Sequence, residues 1–256
     1  MSKEDLAKKL AQLTRQWNVK QPHAKAPKPK PVYLQPGSLE AKVASSPYAA
    51  MLASPLRKCG IIQRVFPNQL LLRFAKGLHP ETLEHIVYAT VERKPQGGKG
   101  AYVFLRKSLV DAIKRGEYRA AIRSQAKYRQ DMADYVQKKL YMYASDCFNQ
   151  VEAKSLCIPL EPEDAAKSWI CDKQIQCILR FQKGPFCELD HRIDISNEPI
   201  PCYDATQLWS KEMVDSIKNK YNDAPAIGVV KSFETVDLAI ALWRCRQYNN
   251  NTGSAN

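Results

Sequence analysis

The sequence predicts an α+β fold: a small antiparallel β-rich part, a long central helix, a C-terminal α/β part and an extended basic N-terminal arm. Three observations predict it. Short apolar runs bounded by Pro, Asn and Gly recur between residues 59 and 105, as strands do. Val136, Leu140, Ala144, Cys147 and Val151 recur at helical spacing, with Met132 leading in. Residues 18–37 alternate Pro22, Pro27, Pro29, Pro31 and Pro36 with Lys20, Lys25, Lys28 and Lys30, a pattern that cannot pack alone and favours an extended chain. The segments are 1–44 (helix and basic arm), 45–151 (basic β-rich part with the long helix), 152–249 (mildly acidic α/β part) and a polar tail at 250–256.

Within the first segment, residues 3–17 predict an amphipathic helix. Leu6, Leu10, Leu13 and Trp17 line one face, and Lys3, Lys8, Lys9 and Arg15 lie off it. Such a helix either docks on a neighbour or serves as an uncleaved matrix-targeting segment. Glu4 and Asp5 favour docking, because transit peptides are poor in acids. The arm that follows is a linker or a basic tail laid along RNA or a neighbouring protein. Ser46 caps and Pro47 opens a short helix that Pro55 ends.

Cys59–Phe66 and Gln69–Ala75 then read as strands on either side of Pro67-Asn68. Glu84–Arg93 is a third, with Ile86, Tyr88 and Thr90 on one face, and Ala101–Leu105 a fourth. Residues 94–100, KPQGGKG, form the turn between these two. The turn lacks the GxxxxGK[ST] spacing of a P-loop and reads as a basic hairpin tip. Helix begins near Arg106 and breaks near Gly116. The stretch 111–151 is the predicted long helix, in which Arg115, Arg119, Arg123 and Lys127 recur every fourth residue. Such a stripe spans about 18 Å at about 1.5 Å per residue. Nearby bases outnumber Asp111, Glu117, Asp131 and Asp134.

Pro159 ends this helical region, and Glu161-Pro162-Glu163-Asp164 opens a short helix through Trp169. Gln174–Gln182 and Phe186–Ile195 read as strands. Residues 204–221 read as an amphipathic helix capped by Asp204, with Leu208, Met213 or Val214, and Ile217 inward. Ala226–Val230 is a strand. Ser232 or Thr235 starts a last helix that buries Leu238, Ile240, Ala241 and Leu242 and runs to about Tyr248. Residues 69–77, QLLLRFAKG, echo 176–184, QCILRFQKG, at six of nine positions. The echo is either a duplication or two apolar strands that each end in a basic turn.

The net charge is +13 and unevenly spread. Residues 1–160 carry 28 Lys/Arg against 12 acids, a balance of +16, and residues 161–256 carry 11 against 14, a balance of −3. That polarity predicts one end against phosphates and the other toward protein or solvent. The eight cysteines contain no CxxC pair and sit in apolar runs, which predicts reduced, buried thiols. No run of about 18 apolar residues is present, so no membrane partner is expected.

Two sets of side chains suggest chemistry. Glu188, Asp190 and Asp194 share one face of a strand and are the set that a metal-dependent nuclease would use. Cys171, Cys177, Cys187 and His191 lack the tight ligand pair that seeds zinc sites. Glu188, Asp190 and Asp194 serve equally as a solvated face paired to Arg192. His79 and His85 do not form HExxH. The expectation is therefore no enzyme, no cofactor and no metal site. The RNA-binding residues expected are Lys25, Lys28, Lys30, Lys99, Lys114, Arg115, Arg119, Arg123, Lys127 and Arg129, which touch the backbone without reading sequence. Tyr118, Tyr128 and Tyr135 accompany them and either pack or stack on bases.

The basic proline-rich arm, the α+β body and the phrases SSPYAAMLASPLRKCGIIQRVFPNQLLLRF (45–74) and DLAIALWRCRQY (237–248) resemble lineage-specific proteins of the mitochondrial ribosome, particularly fungal ones. The resemblance implies a structural role in translation, in the mitochondrial matrix. It implies contact with rRNA and with neighbouring ribosomal proteins, in a chain that is not a homo-oligomer. It transfers no site residue. A divergent metal-dependent nuclease and a nuclear or cytosolic nucleic-acid-binding factor are the rival expectations.

Overall fold

Two serines cap the first two helices among the described residues. The Ser38 hydroxyl accepts from the Ala41 amide at 3.1 Å and caps α1 (Leu39–Ala44). The Ser46 hydroxyl accepts from the Ala49 amide at 3.3 Å and caps α2 (Pro47–Leu52), with Pro47 in the first turn as expected. The computed structural model describes residues 35, 37–79, 82–92, 100–113, 122, 126–160, 174–190 and 199–250. The helices expected over 3–17 and 161–169, most of the arm, the turn at 94–99 and the tail from 251 lie outside them. The helix α1 falls in a segment read as arm. It buries none of its residues, and Leu39 and Val43 are 72 % and 52 % exposed.

The single strand expected over Cys59–Phe66 is instead the turn and return limb of a hairpin. β1 (Leu56–Lys58) pairs antiparallel with β2 (Val65–Pro67), joining Leu56 to Pro67, Arg57 to Phe66 and Lys58 to Val65. Gln63 at φ 61° closes the turn. The apolar Ile61-Ile62 pair reads as strand, but the neighbouring Gly60 and Gln63 bend the chain there.

The first sheet has the order β5-β3-β4-β6, from β3 (Leu71–Leu78), β4 (His85–Thr90), β5 (Ala101–Phe104) and β6 (Lys127–Tyr128). It is antiparallel except for β6, which runs parallel to β4. Leu72, Phe74, Val87, Ala89 and Val103 face the core. Ile86, Tyr88 and Thr90 share a face, as expected, and it is the one opposite the core.

The predicted helix over 111–151 is divided. α3 (Lys107–Ala112) precedes β6, and α4 (Met132–Glu152) follows it. Lys127 therefore sits on a strand and not on a helical stripe. The edge of β4 offers backbone partners to Lys127 and Tyr128. Tyr128 is buried; its hydroxyl donates to the Val110 carbonyl at 3.3 Å and its ring lies 6.5 Å from Phe74. The second half of the stretch is helical as predicted, with Val136, Leu140, Ala144, Cys147 and Val151 buried.

The second sheet has the order β7-β11-β8-β10-β9. Its strands are β7 (Cys157–Leu160), β8 (Ile175–Arg180), β9 (Cys187–Asp190), β10 (Ile200–Asp204) and β11 (Ala226–Val230). Only β8 and β10 run parallel. The echoing segments occupy β3 and β8, interior strands of the two sheets. β3 has two antiparallel neighbours whereas β8 has one parallel neighbour, so the likeness is between strands and not between sheets. The helix expected over 204–221 breaks at Trp209-Ser210 into α5 (Ala205–Leu208) and α6 (Lys211–Lys220), because Ser210 caps the second piece. Asp204 caps the first as expected, accepting from the Thr206 amide at 2.9 Å.

The last helix, α7 (Val236–Asn249), organises the core. Leu238, Ile240, Ala241, Leu242, Cys245 and Tyr248 are each at most 2 % exposed, and with the buried Val236 and Ala239 they cover all sides of the axis. A helix apolar all round must be enclosed, and burying each Leu or Ile stabilises by about 1.5–3 kcal/mol. One continuous apolar cluster joins both sheets, α4 and α7. Polar groups fix the register. Arg244 is buried and donates to the carbonyls of Leu71 in β3 and of Val91, just past β4. Tyr248 donates to the Ala133 carbonyl of α4 at 2.9 Å.

Candidate nucleic-acid interface

Of the expected RNA-binding residues, Lys127 and Arg129 are described; Lys25, Lys28, Lys30, Lys99, Lys114, Arg115, Arg119 and Arg123 lie outside the described residues. Lys127 and Arg129 come together in a groove of about 540 Å³ lined also by His79, Thr82, Glu84 and Gln130. Both are ion-paired. Lys127 Nζ lies 3.1 Å from Glu84, and both side chains are more than half exposed, so the bond contributes little and is readily exchanged. Arg129 makes a two-pronged bond to Asp131 at 3.0 and 2.8 Å and lies 4.4 Å from the Tyr135 ring centroid. Hydrogen bonding to Asp131 holds its pKa above the ordinary arginine value. Tyr135 carries cations against its ring, Arg129 and, at 5.8 Å, Lys139.

A stronger electropositive feature lies on the hairpin, where no binding residue was expected. From Ala41 to Pro80 the sequence contains no carboxylate and six Lys/Arg. Three of these are exposed on the hairpin, Arg57 and Lys58 on β1 and Arg64 in the turn before β2. None takes part in an ion pair among the described residues. The signal is legible in the sequence as an absence of acids.

Pairing across the hairpin gives its two faces. Arg57 and Phe66 share the side turned to β5, where Phe66 lies 5.1 Å from the Phe104 ring and Arg57 lies 5.8 Å from the Tyr102 ring. Leu56, Lys58, Val65 and Pro67 share the outward side, with Leu56 61 % and Val65 57 % exposed. Of the twelve exposed large apolar side chains among the described residues, seven lie between 39 and 65. The C-terminal part contributes Leu189 and Phe233.

The carboxylate set is only partly assembled among the described residues. Glu188 is held by Arg180 at 2.9 Å, Asp190 ends β9, and Asp194 lies outside the described residues. Arg180 therefore occupies the charge that a cation would need. Asp204 is the best-satisfied acid. Burial opposes its charge, but donors from Thr206, Gln207 and the Gly184 and Thr206 amides outweigh that and hold its pKa below the usual carboxylate range. Its role is capping and loop closure.

Seven cysteines are described as free thiols, all buried except the half-buried Cys187. Burial pushes Cys147 and Cys157 up to about 11. Cys177 and Cys187 are separated by the whole of β10, roughly 10 Å across two strand spacings, too far to share a zinc ion. No group of three or more metal-ligating side chains occurs among the described residues. No helix among the described residues is long and apolar enough to cross a membrane. Comparison with protein families, curated proteins and solved structures finds no match to the chain.

Proposed function

We propose that the chain is a structural, RNA-binding component of a ribonucleoprotein assembly, contacting the RNA backbone through its basic N-terminal two-thirds. The observation that carries this reading is the carboxylate-free stretch 41–80, with Arg57, Lys58 and Arg64 exposed and outside any ion pair among the described residues. Three uncompensated cations on one short hairpin favour a polyanion over a mixed-charge protein surface. The proposal includes no base-specific readout. The particle named by the resemblance, the mitochondrial ribosome, is the proposed host, with rRNA the proposed ligand and the matrix the proposed location.

Neighbouring proteins belong, in this proposal, against the apolar side chains left exposed on α1 and α2, namely Leu39, Val43 and Leu52, and against Phe233. The mildly acidic C-terminal part belongs to the same protein-facing surface in this proposal. Burial of exposed apolar surface drives such association.

Sedimentation of the tagged full chain tests the reading. It should travel with a large particle, survive moderate salt and move to light fractions after ribonuclease treatment. Recovery only in light fractions from untreated extract overturns the proposal.

A further inference from the structure

The outer face of the first sheet, opposite the core, carries two tyrosines on strands that flank β3. Tyr102 of β5 is level with Arg73, and Tyr88 of β4 is level with Ala75. Both rings are half-buried. Their backbones stand two strand spacings apart and two residues out of step, roughly 12 Å.

Two glycines shape this face. A Cβ on Gly77 would stand 2.8 Å from Tyr88 Cε1, so the missing side chain lets the phenol ring lie across β3. A Cβ on Gly100 would stand 2.7 Å from Arg73 Nε, so the Arg73 guanidinium likewise lies over backbone. Beside Tyr102 stands the hairpin, with Arg57 5.8 Å from the ring and Lys58 and Arg64 further along it. Aromatic surface thus adjoins exposed positive charge with no carboxylate between residues 41 and 80.

We infer that this face binds single-stranded RNA, with unpaired bases stacking on Tyr88 and Tyr102 while Arg57, Lys58 and Arg64 hold the phosphates. The inference rests on the RNA-binding reading above and narrows its ligand. A duplex keeps its base faces stacked inside and offers only phosphate and sugar, which would leave the aromatic surface unused. Unpaired bases present π-faces to aromatic rings and to arginine planes. An acidic protein segment would satisfy the cations but supplies no planar groups for the tyrosines.

The test uses the purified full chain and two probes, a labelled oligouridine of about 12 nucleotides and an RNA duplex of equal length. Fluorescence anisotropy is read at about 0.1 M salt. The single strand should bind more tightly, although a purely electrostatic site favours the duplex for its higher charge density. Tyr88→Leu and Tyr102→Leu should each weaken oligouridine binding about tenfold or more and leave duplex binding unchanged. Tyr88→Phe and Tyr102→Phe should retain oligouridine binding, and circular dichroism should show all variants folded. Equal affinity for both probes, unaltered by the Leu variants, overturns the inference but leaves the RNA-binding reading standing. Binding of neither probe overturns both. Competition by polyglutamate as effective as competition by RNA assigns the face to an acidic protein and also overturns the inference.

Discussion

The hairpin at 56–67 and the helix at 236–249 both interleave arginine with large apolar side chains, and they use them in opposite ways. In α7 the apolar residues are enclosed, and Arg244 is turned inward onto the carbonyls of Leu71 and Val91. On the hairpin Leu56 and Val65 face outward, and Arg57, Lys58 and Arg64 stay exposed. The difference follows from geometry. A helix between other elements has neighbours on all sides, whereas a two-stranded hairpin has one side to pack and one to present. An arginine in an apolar context is therefore an internal clamp in one place and a surface cation in the other, and pairing topology decides which.

The largest effect that can break the comparison is loss of core. Leu242→Ala should cost about 2–5 kcal/mol in urea unfolding, and a loss under about 1 kcal/mol would show that α7 is not enclosed as described. Next comes the internal arginine. Arg244→Met leaves two buried carbonyls without their donor and should cost about 2–3 kcal/mol. Hydrogen exchange should accelerate at β3 and β4; protection unchanged at both strands would deny the clamp. By contrast, Val65→Ser on the hairpin should change stability by no more than about 0.5 kcal/mol. A larger drop in the urea midpoint would mean that the outward face is packed.

Raised pH should act on the core and spare the hairpin. Burial pushes Cys147 and Cys157 up to about 11 and Cys245 up to about 12. Unfolded thiols ionise near about 8.5, so above that pH the unfolded chain releases protons that the folded chain retains. Stability fully present below about 8.5 should fall as pH rises toward 11–12. Urea midpoints at neutral and alkaline pH would show this, and Cys147→Ala with Cys157→Ala should shallow the decline. A small effect is also expected at the groove. Glu84→Gln removes an exposed partner of Lys127 and should alter stability by less than about 1 kcal/mol, while RNA affinity rises slightly. Weaker RNA binding would mean that Lys127 is held in place by Glu84.

Much of the fold was legible where the signal was local and apolar. Val136 through Val151, Leu238 through Leu242 and the strands at 71–78 and 226–230 announced themselves by spacing. What was illegible had two physical sources. Pro159 reads as the end of the helical region, yet it lies within β7, and β10 likewise contains a proline, Pro201. For β7 the reason is its place at the sheet edge, where a missing donor is tolerated. Lys127 belongs to the helically spaced set Arg115, Arg119, Arg123 and Lys127, yet it lies on β6. Pairing of Lys127 and Tyr128 with β4 is a long-range event that no window reveals. At the candidate site, cation content was legible. The cations that stand outside ion pairs were not, because pairing depends on which carboxylates the fold brings near. The missing carboxylates of 41–80 were nevertheless visible, and absence of the neutralising residue type proved more informative than recurrence of the charged one.

The central claim, that the hairpin cations meet phosphate, is tested most directly by the salt dependence of RNA binding. Each phosphate neutralised on a single strand contributes about −0.7 to the slope of log affinity against log salt. Arg57→Glu, Lys58→Glu and Arg64→Glu together should make the slope of the full chain shallower by about two and weaken binding at low salt by about a hundredfold, with an unchanged urea midpoint. An identical slope and affinity for wild type and the triple variant would contradict the account.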